Sequence, residues 1–234
     1  MSNDSFKFKQ FTVHQNRCAM KVGTDGTLLG AWAAVPTGKS RLLDIGTGTG
    51  LIALMLAQRA KEAEVVGIDI DEDAIRQARE NVEASPFANR IQIVQGDVAD
   101  YMSEPFDAIV SNPPYFVKSL TCPDNQRTIA RHTTSLTYTT LIRSAFRLLS
   151  DAGRFSVVIP FDYRSLFESE ASLEGFHMSR ICAIKTTPNK KVRRYLIELS
   201  KNTVSQLDIK EVVLEVSPKS RSDWYHNLTK DFYL

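Results

Sequence analysis

The chain has 234 residues, of which 43% are hydrophobic and 24% are charged, and these proportions are those of an ordinary globular protein. The net charge of +2 excludes a strong overall attraction to nucleic acid, so any basic surface must be local. Three widely spaced cysteines with no CxxC pair argue against a zinc site or a disulfide framework and fit a reducing cytoplasm. The sequence has no signal-peptide run and no membrane-length apolar window. We expect a cytoplasmic monomer with no metal and no membrane partner.

The length favours a single domain over residues 1–234, with an N-terminal extension (1–35), a core (36–200) and a C-terminal cover (201–234). In the extension, residues 6–13 alternate like a strand and bring phenylalanines near one another. Two interpretations remain open. The rings stack on RNA bases while Lys7, Lys9 and Arg17 meet phosphates, or the rings pack on the domain.

A glycine-containing loop at residues 22–26 precedes a predicted helix that starts near Thr27. Thr24 or Asp25 can cap this helix, since short oxygen-bearing side chains accept hydrogen bonds from the first turn. The same two side chains are also suited to contact the end of a bound ligand. Capping and ligand contact can coexist.

The stretch from residue 41 to residue 58 predicts a strand, a tight turn and a helix. A short apolar run contains Asp44, and Gly46, Gly48 and Gly50 follow at alternate positions before a helix-like run. Glycine accepts positive φ and lets a ligand lie against the backbone. The helix N-terminus offers unpaired N–H groups, so we expect a polar or anionic group to bind there.

Two further strands also end in carboxylates. Residues 64–69 end at Asp69, about 20 residues after the glycines, the spacing at which an acidic residue meets ribose hydroxyls in βαβ units. The competing role for Asp69 is to cap the next helix, although Asp71 is better placed to do so. Asp97 follows the strand at 89–95, where it either accepts a bond from a base amino group or caps residues 98–102.

The repeated strand–helix order predicts a Rossmann-like, doubly wound, mostly parallel α/β sheet of seven strands with helices on both faces. A fourth strand spans 106–111, a helix 136–150, a fifth strand 154–160 and another helix 163–173. The last two strands, 175–185 and 192–199, predict an antiparallel edge. A further strand is possible at 211–216, within the C-terminal cover.

The motif Asn112-Pro-Pro-Tyr115 follows the fourth strand. Two prolines fix the backbone and remove two donors, which leaves the Asn112 amide oxygen and the Pro113 carbonyl as acceptors for an amino group. Tyr115 offers a face on which a flipped base stacks. The alternative is a structural proline turn made by Pro113 and Pro114.

Basic residues occur in two later segments, where they either meet RNA phosphates or belong to a solvated surface. A polar loop at 117–135 carries Lys118, Arg127 and Arg131. The densest basic cluster contains Lys190, Lys191, Arg193 and Arg194, and its alternative role is to guard a sheet edge by charge.

The motifs resemble those of the class I S-adenosylmethionine-dependent methyltransferases that act on amino groups. The resemblance rests on Asp44-Ile-Gly-Thr-Gly-Thr-Gly50, Asp69, Asp97 and Asn112-Pro-Pro-Tyr115, in that order. The glycine spacing differs from the GxGxxG dinucleotide fingerprint, which disfavours a dehydrogenase. Three other segments, at 6–17, 21–32 and 190–194, resemble the bacterial tRNA-Val adenine-37 N6-methyltransferases.

This resemblance implies S-adenosylmethionine as cofactor and tRNA as partner, with methyl transfer to an adenine amino group. The implied cofactor-binding residues are Lys21, Thr24, Asp25, Asp44, Gly46, Thr47, Gly48, Gly50, Asp69, Ile70, Asp97, Val98 and Asn112. The implied catalytic residues are Asn112, Pro113, Pro114 and Tyr115. Three alternatives remain: a guanine in rRNA, a protein glutamine amide, or a non-catalytic RNA-binding module.

Overall fold

The computed structural model describes residues 4–18, 21–114, 136–217 and 220–234. The strands are β1 (Ser5–Lys7), β2 (Thr12–His14), β3 (Arg41–Ile45), β4 (Glu64–Asp69), β5 (Ile91–Gln95), β6 (Phe106–Ser111), β7 (Leu149–Pro160), β8 (His177–Lys185), β9 (Val192–Ser200), β10 (Asp208–Val213), β11 (Glu215–Ser217) and β12 (Ser220–Arg221). The helices are α1 (Thr24–Trp32), α2 (Leu51–Arg59), α3 (Glu72–Glu83), α4 (Tyr138–Leu148), α5 (Arg164–Glu174) and α6 (Asp223–Thr229). No helix in these ranges is long and apolar enough to cross a membrane.

The central sheet has eight strands in the order β10-β8-β9-β7-β6-β3-β4-β5. All neighbours are parallel except at β9, which runs antiparallel to both β7 and β8. The predicted mostly parallel, Rossmann-like sheet is therefore confirmed, but it has eight strands rather than seven. The additional strand is β10, which pairs with β8 and forms the edge of the sheet. The antiparallel strand β9 does not form the edge, because it lies between β8 and β7.

Helices cover both faces of the sheet and form two apolar cores. The α1, α2, α3 and α6 side contains residues such as Leu54, while the α4 and α5 side contains residues such as Phe167, and both side chains are wholly buried. Strand β3 is buried continuously from Leu42 to Ile45, as expected for a strand covered on both faces. The helices predicted at 136–150 and 163–173 are confirmed by α4 and α5.

The helix after the N-terminal loop starts earlier than predicted. Helix α1 begins at Thr24 with Gly23 as its N-cap, and no side chain caps it, so the prediction that Thr24 or Asp25 does so is wrong. Both residues lie inside the first turn, beyond the position from which a side chain can cap. The expected role of Asp71 is confirmed, because its side chain accepts a hydrogen bond from the Ala74 amide at 2.9 Å.

The N-terminal segment forms a small hairpin, β1–β2, that packs on the domain. Phe8 and Phe11 are 1% and 5% exposed, and their rings stack with centroids 4.8 Å apart. The ring of Phe8 also stacks on Tyr233 near the C-terminus at 5.9 Å. Of the two interpretations of this segment, packing on the domain is the one confirmed for these phenylalanines.

Candidate active site

A cleft of about 610 Å³ opens at the carboxyl ends of the parallel strands, the edge where such sheets bind ligands. Its walls come from the start of α1, the turn after β3, the residues after β4 and the residue after β6. The start of β9 closes the remaining side. The predicted site residues in these walls are Lys21, Thr24, Asp25, Gly46, Thr47, Gly48, Asp69, Ile70, Asn112, Pro114, Arg193 and Arg194.

The turn after β3 has the left-handed conformation that its glycines favour. Gly46, Gly48 and Gly50 have φ of 72°, 55° and 80°, a region in which a side chain is strained. A Cβ added to Gly46 would meet no atom within 4 Å, so there is room beside this backbone. The Gly46 and Thr47 amides donate to the Ile68 carbonyl at 2.9 and 3.0 Å, which joins the turn to β4. Gly50 caps α2 and does not line the cleft.

Asp44 stabilises the glycine turn through buried hydrogen bonds. It is wholly buried, and one carboxylate oxygen accepts hydrogen bonds from the Thr47 hydroxyl at 2.7 Å and the Ala53 amide at 3.1 Å. Burial raises the pKa of Asp44 to about 7, although both hydrogen bonds oppose this shift. Asp44 does not line the cleft. Its structural role is to connect the turn with the first turn of α2.

Asp69 stands at the tip of β4 and faces the cleft. One of its oxygens accepts from the Gly48 amide at 2.9 Å and the other from the Asp71 amide at 3.0 Å. Burial raises the pKa of Asp69, although these backbone hydrogen bonds oppose the shift. The capping role belongs to Asp71. Each carboxylate oxygen has a second lone pair, so Asp69 is equipped to accept bonds from ligand hydroxyl groups.

The motif after β6 places its asparagine in the cleft. Asn112 and Pro114 line the cavity, whereas Pro113 is buried and does not. The Ser111 hydroxyl donates to the Ile45 carbonyl at 2.8 Å, which fastens the end of β6 to the base of the glycine turn. Tyr115 lies outside the described residues.

Two residues expected near a cofactor do not reach the described cleft. Asp97 is exposed, and its side chain accepts a hydrogen bond from the Ala99 amide at 2.9 Å, which fits the alternative that it caps residues 98–102. Val98 is 4% exposed and belongs to the apolar core beside α4 and α5. Their assignment to the cofactor stays a prediction that the lining of the cleft does not support.

The arrangement that sequence reasoning missed is an ion pair between Asp25 and Arg194 across the cleft wall. Their side chains are 19% and 11% exposed. Burial raises the pKa of Asp25 to about 6, while the nearby Arg193 guanidinium lowers it. Arg194 was expected to meet RNA, but its guanidinium is turned inward. The alternation of side chains along a strand is the signal that separates Arg194 from Arg193.

The other predicted RNA-binding residues differ in their exposure and in their contacts. Lys190, Lys191 and Arg193 are exposed, and so is Lys7. Lys9 donates to the Lys230 carbonyl at 2.6 Å, and Arg17 pairs with Glu80 at 2.9 Å. Residues outside the described ranges are Lys118, Arg127 and Arg131. Within the described residues, no group of three acidic, histidine or cysteine side chains is arranged to hold a metal.

Residues 25–169 match the methyltransferase small domain family. The chain belongs to this family. It is 50% identical, over 100% of its own length and 99% of the relative, to a tRNA1(Val) (adenine(37)-N6)-methyltransferase of Phocaeicola vulgatus. The corresponding protein of Bacteroides thetaiotaomicron is 48% identical, with the same coverage. This methyltransferase thus shares its full length with relatives of one named activity.

Solved structures of low sequence identity share the fold. A predicted O-methyltransferase of Agrobacterium tumefaciens superposes with a TM-score of 0.71 at 19% identity, covering 89% of this chain and 96% of that one. TrmN of Thermus thermophilus gives a TM-score of 0.52 at 23% identity, covering 71% of this chain and 45% of that one. Both support the Rossmann-like methyltransferase architecture.

Proposed function

We propose that this methyltransferase transfers a methyl group from S-adenosylmethionine to the N6 amino group of an adenine in tRNA, at adenine 37 of tRNA-Val. The observation that carries the proposal is the meeting of Asn112 with the glycine turn and Asp69 in one cleft. An amide acceptor for an amino group thus lies beside a nucleoside-binding carboxylate. The full-length relatives named for this activity support the same substrate.

The residues of the cleft fit this cofactor. A volume of about 610 Å³ lies within the usual range for small-molecule sites. The space beside Gly46 admits a ligand against the backbone, and Asp69 provides acceptors for two hydroxyl groups. When bound, S-adenosylmethionine supplies an electrophilic sulfonium methyl group. The residues that would hold it are Lys21, Thr24, Gly46, Thr47, Gly48, Asp69 and Ile70.

Asn112 provides the chemistry of the acceptor side. Its amide oxygen accepts a hydrogen bond from the exocyclic amino group of the base, which fixes the orientation of the amino nitrogen. This hydrogen bond also increases the electron density on the amino nitrogen. Positioning and polarisation of this kind account for much of the rate in group transfer.

The decisive experiment identifies the methylated nucleoside. The enzyme is incubated with methyl-labelled S-adenosylmethionine and with total tRNA or rRNA from cells that lack it, and the labelled nucleoside is identified by mass spectrometry. We expect N6-methyladenosine in tRNA-Val only. Label in guanosine or in protein would refute the adenine assignment and would favour one of the two alternative acceptors.

The role of Asn112 is tested by the Asn112→Ala variant. Because an interaction made in the transition state is removed, we expect kcat to fall about 10² to 10³-fold. Cofactor affinity, measured by calorimetry, should stay within about twofold of the wild type, because the amide oxygen is proposed to bind the acceptor base. Asn89→Ala, at an exposed position, is the matched control. A parallel loss of cofactor binding in Asn112→Ala would mean that Asn112 belongs to the cofactor side.

The proposed RNA-binding surface is tested by the salt dependence of tRNA affinity. Lys190 and Lys191 are exposed a few residues before Arg193 and Arg194, which line the cleft. Each phosphate contact adds about 0.7 to 0.9 to the slope of log K against log salt. Lys190→Gln with Lys191→Gln should flatten the slope by about 1.5. The control is Lys61→Gln, an exposed lysine before β4 at the opposite edge of the sheet. An unchanged slope would exclude both lysines from the RNA surface.

A further inference from the structure

Phe161 is a large apolar side chain with an exposed position at the cleft edge of the sheet. It follows directly on Pro160, the last residue of β7, and begins a short 3-10 turn, Phe161–Tyr163. Its side chain is 51% exposed. The proposed transfer reaction assigns it no role so far.

The strand register places Phe161 beside the acceptor end of the cleft. Ser111 of β6 pairs with Val157 of β7, and Pro160 pairs with Arg194, which lines the cleft. Asn112 is therefore level with Val158, and Phe161 lies three residues beyond Val158 along the chain. At about 3.3 Å per residue, the distance along the sheet is roughly 10 Å. That spacing suits a nucleotide next to one bound at Asn112 when the bases are splayed apart.

Neighbouring side chains hold the Phe161 ring. It stacks on Tyr195 of β9 with ring centroids 6.1 Å apart and an interplanar angle of 22°. Tyr195 is itself buried, and the Arg164 guanidinium lies 4.5 Å from its ring centroid. Arg164 is fixed in turn by Glu168 at 2.6 Å. An aromatic ring supported in this way loses little conformational entropy when a ligand stacks on it.

Exposed cations occur on and just before the strand against which Phe161 stacks. Arg193 is exposed on β9, the strand that supplies Tyr195, and Lys190 and Lys191 are exposed just before this strand begins. Within the described residues, neither lysine takes part in a salt bridge. An exposed ring beside cations is the combination that binds single-stranded nucleic acid, in which bases stack and phosphates meet positive charge.

We propose that Phe161 is a stacking platform for a base adjacent to the target adenine, with Arg193 contacting the neighbouring phosphate. The inference rests on the proposed function, and it adds a second base-binding position to the same site. The exposed cations on and before β9 favour RNA over an apolar segment of a protein, since such a segment offers them no counterions.

The first experiment compares Phe161→Leu with Phe161→Trp. Leucine keeps an apolar side chain and removes the aromatic face, so the affinity for tRNA-Val, by fluorescence anisotropy, should fall about tenfold. Tryptophan keeps the face and should stay within about threefold of the wild type. Leu173→Ala is the control, because Leu173 is 86% exposed and lies in the last turn of α5, away from the cleft edge. Equal affinity of all three variants would overturn the proposal.

The second experiment asks whether the ring meets one particular base. Anticodon stem-loops carry an abasic nucleotide on either the 5′ or the 3′ side of the target adenine. For the wild type, one of the two substitutions should weaken binding about tenfold, and for Phe161→Leu the same substitution should cause no further loss. If the loss caused by Phe161→Leu and the loss caused by the abasic nucleotide are additive on both RNAs, stacking of Phe161 on either base is refuted. Methylation of the unmodified stem-loop by the wild type is measured alongside. Failure of that reaction contradicts the proposed function, whereas the affinities alone decide the role of Phe161.

Discussion

The ion pair between Asp25 and Arg194 permits a quantitative test of how the cleft is held together. Asp25 lies in the first turn of α1 and Arg194 near the start of β9, and their side chains are 19% and 11% exposed. The perturbation replaces each partner with an apolar residue of similar size, Asp25→Leu or Arg194→Met, and then both together. Asp25→Leu leaves the largely buried Arg194 without its ion-pair partner, and Arg194→Met leaves Asp25 with Arg193 as its nearby cation.

The expected cost follows from this burial. Removing one partner of a buried ion pair typically costs 3–5 kcal/mol, and the residual exposure of both side chains places the expected value near the lower end, at about 3 kcal/mol. Replacing both partners by apolar groups is often nearly neutral. The double variant should therefore be more stable than either single variant, with a coupling free energy of at least about 2 kcal/mol.

The assay is urea unfolding at pH 8, where Asp25, with a pKa of about 6, is ionised. A loss of about 3 kcal/mol lowers the urea midpoint by roughly 1 M. The matched control is Arg17→Met, which removes an arginine paired with Glu80 at 46% and 50% exposure. An exposed pair of this kind contributes at most about 1 kcal/mol.

Two results would refute the reasoning. If both single variants cost less than about 0.5 kcal/mol, the pair does not stabilise the wall of the cleft. If the double variant loses the sum of the two single losses, each side chain acts through separate contacts, and α1 is not joined to β9 by charge.

Three other substitutions test the packing under the site. Gly67→Ala places a Cβ 2.7 Å from the Thr47 hydroxyl, so urea unfolding should show a loss of about 1–3 kcal/mol and calorimetry weaker cofactor binding. Glu198→Ala removes the partner of Arg180 at 2.7 Å, and because the Arg180 side chain is 30% exposed, thermal unfolding should show a loss of about 1–3 kcal/mol. Burial raises the pKa of Asp44 from 3.8 to about 7, so its stabilising contribution is full below pH 3.8 and is lost as the pH rises through 7. Between pH 5 and 8, the wild type should lose about 2 kcal/mol more than Asp44→Asn.

The glycine turn and Asp69 could be predicted because residue type encodes local backbone conformation. Positive φ at Gly46 and Gly48 is a property that the sequence displays directly. A carboxylate at the carboxyl end of an apolar strand is placed at the open edge of a parallel sheet, where ligands bind. The same argument brought Asn112 to that edge, where it lines the cleft.

Features that depend on tertiary packing could not be predicted in this way. The possible strand at 211–216 overlaps β10. Because β10 carries mostly exposed or half-buried residues, such as Lys210 and Glu211, its pattern did not show that it joins the central sheet as an eighth strand. The contact of Asp25 with Arg194 joins two distant parts of the chain, and neither residue type nor spacing indicates it.

Helix α1 is fastened to the sheet at both ends by an arginine, and this arrangement explains how one wall of the cleft is kept in place. At its start, Asp25 pairs with Arg194 of β9. At its end, Arg180 of β8 donates to the Trp32 carbonyl at 3.0 Å and lies 3.7 Å from the Trp32 ring centroid. Arg180 also pairs with Glu198, which returns the connection to β9. Because Arg193, an exposed cation of the proposed RNA-binding surface, also lies on β9, helix α1 and this strand are parts of one connected unit. Under the proposed function, binding energy gained at this surface is available to position α1 at the wall of the cleft.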